Sequence, residues 1–103
     1  MRMIKKLSDE MWGNIHEAKS KIKMAYKLRD EDRAIADWYR DMAKAHMDFN
    51  SAAHTQVKRL IDHAKEAMKD NPMTPGMLAV YNEMHADIMA AAAEVNAMIS
   101  AYK

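Results

Sequence analysis

Apolar residues recur at steps of three and four along almost the whole chain, a spacing that predicts helices rather than strands. A first stripe, Leu7, Met11, Ile15, Ala18, Ile22 and Ala25, predicts a helix over residues 8–28. Ser8 is its expected cap, with Asp9 and Glu10 at the positive end of the helix dipole. A second stripe runs through Ile35, Trp38, Met42, Ala45, Phe49, Ala52, Gln56, Leu60, Ala64 and Met68 without a break in phase, so one long helix is expected over 31–70. The acids Asp30, Glu31 and Asp32 mark its start, and Asn50-Ser51 is where a kink is most readily accommodated.

The stretch from Asp70 to Gly76 is the clearest boundary, because Pro72 cannot continue a helix interior. Thr74 followed by Pro75 fits a capping residue with proline in the first helical position. The expected third helix, 74–102, carries two interleaved seven-residue series: Met77, Met84, Ala91, Met98 and Tyr81, Ile88, Val95, Tyr102. Such a pair of series is a coiled-coil seam. A flank of Leu78, His85, Met89, Ala92 and Ile99 runs beside it, and Ala90 to Ala93 form a run of four alanines. Only Glu83, Asp87, Glu94 and Lys103 are charged there. A surface helix ordinarily shows one apolar stripe and a charged back.

The fold expected is therefore an all-α, three-helix antiparallel bundle with a long central helix, in one domain over 1–103. Helices of about 30, 60 and 45 Å, at 1.5 Å per residue, cannot cover one another's apolar faces completely. A homo-oligomer, with a dimer favoured, is expected to complete the bundle, its interface formed by Leu78, Tyr81, His85, Met89, Ala92 and Ile99.

Composition narrows the chemistry. Cysteine is absent, which removes disulfides, thiolate metal sites and cysteine nucleophiles. Two glycines leave no phosphate-cradling loop. No apolar run reaches the roughly 18 residues of a membrane span, and the basic N-terminus lacks the apolar stretch of a signal peptide, so a cytoplasmic protein without a membrane partner is expected. Twelve methionines supply flexible, polarisable side chains suited to adaptable binding surfaces. Net charge is +1, but residues 1–29 hold eight Lys/Arg against three Asp/Glu. Lys19, Lys23 and Lys27 line one helical face near Trp12, His16 and Tyr26, a surface that could dock an acidic protein partner or hold nucleic acid phosphates beside stacked bases.

Two further constellations carry candidate chemistry. Arg40-Asp41-Met42-Ala43-Lys44-Ala45-His46 resembles the Arg-x(4–6)-His motif of HEPN ribonucleases. That resemblance implies a dimerising α-bundle in which Arg40 holds phosphate and His46 does acid–base work. Ala34 to Tyr39 is loosely similar to a helix of ferritin-like bundles, but the chain has no Glu-x-x-His, the metal signature of that family. Instead, antiparallel pairing about residue 72 would bring His63 and His85 near one level, with Asp62 and Glu66 adjoining, and His63, Glu66 and His85 could then hold a divalent metal. Pairing about residue 30 would likewise level His16 with His46. The leading expectation is a non-enzymatic interaction protein without a cofactor, an adaptor or inhibitor of bacterial or phage type. The alternatives are the ribonuclease and the metal-binding bundle.

Overall fold

In the computed structural model, which describes residues 2–67 and 75–103, three helices form an antiparallel bundle. They are α1 (Arg2–Leu28), α2 (Arg33–Ala67) and α3 (Pro75–Ala101). The bundle is a rod of 59 × 17 × 16 Å. Side chains of residues 2–4, 64, 65, 67, 75–82 and 84 lie outside the description, as does the segment 68–74; Met77, Leu78, Tyr81 and Met84 fall there.

Helix starts follow local chemistry. The Asp32 carboxylate accepts a hydrogen bond from the Ile35 amide at 3.2 Å, the geometry of an N-cap on a helix beginning at Arg33. Helix α3 begins at Pro75, whose fixed φ and missing N–H cost nothing in a first helical position. The start of α1 differs from the sequence expectation. It lies at Arg2, and Ser8 is a buried seam residue rather than a cap. No breaker separates Arg2 from Leu7, so the helix continues toward the N-terminus past Asp9 and Glu10. Through Asn50-Ser51, α2 is unbroken.

The core is a set of heptad seams. From α1 it takes Met11, Ile15, Ala18, Ile22 and Ala25, as the first stripe predicts. From α3 it takes Ile88, Ala92, Val95 and Tyr102. From α2 it takes Ala36, Ala43, Met47, Asn50, Val57 and Ile61. That last set corrects the sequence reading of α2. The predicted stripe is not the inner one: Ile35, Trp38 and Phe49 are 46, 55 and 68% exposed, and Ala45, Ala52 and Gln56 are exposed as well. At about 100° per residue, the two sets lie on nearly opposite sides of α2. The physical reason is fit. Alanines at Ala18 and Ala25 on α1 and at Ala36 and Ala43 on α2 let the two backbones pack closely, which a seam of Trp38 and Phe49 would prevent.

Two contacts fix the register of α2 against α3. The Tyr102 hydroxyl donates to the Asp37 carboxylate at 2.8 Å, and His54 stacks on His85 with centroids 4.7 Å apart and planes 13° from parallel. Seventeen residues separate Asp37 from His54, and seventeen separate His85 from Tyr102, so the two helices run antiparallel without slip.

Candidate interaction surfaces

The register decides which expected residues meet. His85 faces His54, not His63, which is exposed nine residues, or about 13 Å, farther along α2. Glu66 is exposed too. Among the described residues, no group of three or more His, Asp or Glu is placed to hold a metal ion. The residue numbers of each contacting pair sum to 139, about five less than an antiparallel pairing about residue 72 would give, so His63 is carried away from His85.

Arg40 and His46 leave α2 on different sides, since six residues along a helix rotate by about 600°, a net 120°. Arg40 hydrogen-bonds Asp41 at 2.8 Å and lies over the Tyr102 ring. It is thus held at the α2–α3 end of the bundle, away from His46. Within one chain the two do not converge on a common point.

The basic row of α1 is split. Lys19 pairs with Glu94 of α3 at 3.4 Å, and the Tyr26 hydroxyl donates to the Met98 carbonyl at 2.7 Å. Trp12 packs against the core and stacks on His16 with centroids 5.8 Å apart. Lys23, Lys27 and His16 stay exposed. The level pairing of His16 with His46 forms no contact of its own, because His16 turns to Trp12.

On α3, Ala92 is buried in the core and His85 and Ile99 are half-buried, so part of the flank expected at an oligomer interface is spent inside the bundle. Met89 is 44% exposed, and Leu78 and Tyr81 lie outside the described side chains. The outward face of α3 consists instead of Ala86, Ala90, Ala93, Ala97 and Ala101, all exposed, with Glu83, Asp87 and Glu94 along one edge. Sequence spacing could have located this face, since these positions follow the same three-and-four steps half a turn from Ile88 and Val95.

One polar layer interrupts the core. The Asn50 side-chain oxygen and the Nδ1 atoms of His54 and His85 are buried without hydrogen-bond partners. Burial, then the neighbouring His54 and Lys58, lowers the pKa of His85 below its ordinary 6.5. A histidine depressed in the folded state binds protons more weakly there than in the unfolded chain. Its neutral form is fully tolerated above pH 6.5, and the fold loses stability as pH falls below 6.5 toward the depressed value. The urea midpoint is therefore expected to drop between pH 8 and pH 5, and His85→Gln is expected to flatten that drop. An equal drop in the variant would assign the effect elsewhere.

No helix among the described residues is long and apolar enough to cross a membrane. No protein-family model matches the chain, and no curated protein or solved structure is significantly similar to it.

Proposed function

We propose that this chain is a small, non-enzymatic helical interaction protein that self-associates and binds a protein partner, working in the cytoplasm as an adaptor or inhibitor of bacterial or phage type. The observation that carries the reading is α3. Its core seam is matched by an outward face of five exposed alanines, so the helix is apolar on both sides. A surface helix ordinarily backs its one apolar stripe with a charged face, whereas here the charges are confined to one edge. Alanines in heptad-like spacing let a second helix approach closely, and a two-fold pairing of α3 with its copy is the simplest arrangement that covers them.

Light scattering at high micromolar concentration tests this. The parent chain is expected at twice 11.8 kDa. Ala90→Lys, at the middle of the face, is expected to give the monomer mass with unchanged helical circular dichroism. A monomeric parent chain contradicts the self-association.

A further inference from the structure

The outward stripe of α2 is a second exposed apolar face, on a different side of the molecule from the alanines of α3. Ile35, Trp38, Met42, Ala45, Phe49 and Ala52 follow one another at steps of three, four, three, four and three. Such spacing is one seam of a coiled coil, over about 26 Å of helix. Trp38 and Phe49 present more than half of their surface to solvent. Single exposed apolar residues are ordinary on a protein surface, whereas an ordered row of this length marks an interaction site.

The stripe borders a groove between α1 and α2. Glu10, Gly13 and Glu17 form its α1 wall, and Phe49, Ala52 and Ala53 its α2 wall, and the groove is a shallow, largely open trough of about 580 Å³. A Cβ built on Gly13 would meet nothing within 4 Å, so that wall is open to a close approach. A rod-shaped occupant suits a trough of this form.

Charge identifies the rod. Glu10 and Glu17, seven residues apart, stand exposed on the α1 rim. Asp48 stands exposed along the opposite edge of the stripe, and Asp41, which accepts a hydrogen bond from Arg40 at 2.8 Å, lies seven residues before it. Each pair repeats at the period of the seam, so acids flank its Phe49–Ala52 end where the e and g positions of a docked helix would lie, while toward Trp38 the α1 side carries Lys21, whose ammonium lies 5.8 Å from the centre of the Tyr39 ring. Lys44 lies farther round α2 toward α3. A second copy of the chain is a poor occupant. Pairing α2 with itself would set Asp41 and Asp48 against the same two acids, and like charges across a seam repel.

We infer that the α1–α2 groove docks a single amphipathic helix of a partner protein, one whose apolar seam is flanked by lysine or arginine. The apolar residues of that helix pack between Trp38 and Phe49, and its basic residues pair with Glu10, Glu17 and Asp48. A binding role is assumed here; self-association through α3 is not.

The test uses two labelled peptides of about 21 residues, three heptads each, with an identical leucine seam and either lysine or glutamate at the flanking positions. Titrated with the full chain and followed by fluorescence anisotropy, the lysine-flanked peptide is expected to bind at least about tenfold more tightly, and to weaken as salt rises. Phe49→Glu is expected to abolish its binding with helical circular dichroism intact. The double variant D41K/D48K is expected to shift the preference toward the glutamate-flanked peptide. Equal affinity for the two peptides, binding by neither, or binding that survives Phe49→Glu overturns the inference. If Phe49→Glu instead halves the mass of the protein alone, a second copy occupies the stripe and the inference fails while self-association stands. A parent chain that is monomeric yet binds the lysine-flanked peptide would remove the α3 dimer and leave the groove assignment intact.

Discussion

Met47→Ala is expected to cost the fold about 2–5 kcal/mol, the usual range for truncating a buried methionine to alanine, while Phe49→Ala, two residues along the same helix, is expected to cost about 0.5 kcal/mol or less. Met47 is 5% exposed and belongs to the inner seam of α2; Phe49 is 68% exposed on the outer stripe. Truncating Met47 opens a cavity that the close-packed α1–α2 contact cannot collapse into. Truncating Phe49 removes surface that is mostly in water in both folded and unfolded states. Urea unfolding monitored by circular dichroism reads both. The contrast is diagnostic of the orientation of α2. If the larger loss falls at Phe49, the helix is rotated by about half a turn from the packing described here.

Asn50→Val is expected to raise stability by about 1–2 kcal/mol, because it removes a buried amide oxygen whose desolvation has no compensating hydrogen bond. Asn50 is 3% exposed, its side-chain oxygen has no partner, and its heptad neighbours in the seam are Ala43 and Val57. Valine continues that seam. The gain is expected to come with a looser specification of register, since one polar residue in an apolar seam penalises helix slips that would pair it with apolar neighbours. A raised urea midpoint together with faster amide exchange in α3 would report both consequences. A lowered midpoint would mean that Asn50 makes a stabilising bond in solution.

Much of the fold is legible in the residues. The acid cluster ending in Asp32 and the Pro75 start each place a helix boundary because their effects are local: a carboxylate beside free amides, and a ring that fixes φ. The α1 seam is legible because its apolar residues form one stripe with no rival. The low charge of α3 is legible by inspection and points to surplus apolar surface. Ser8 misled for the opposite reason, since a serine that can cap a helix can also sit in a small-residue seam when nothing upstream stops the helix.

The orientation of α2 was not legible. Toward its N-terminal end its inner seam carries Ala36, Ala43 and Asn50 with Met47 as the one large apolar residue, and its outer stripe carries Ile35, Trp38, Met42 and Phe49, so hydropathy favours the wrong face. Periodicity shows that an apolar face exists. It carries no information on whether the same chain or another one covers it.

The sequence by itself therefore determined three helices, the starts of α2 and α3 to within two residues, the inner face of α1 and more apolar positions than this bundle buries. The tertiary structure alone decided which face of α2 is core, which histidine meets His85, and that Arg40 is held over the Tyr102 ring of α3. Helix boundaries and stripes depend on interactions within a few residues, whereas register and rotation depend on how alanines on two distant helices let their backbones approach.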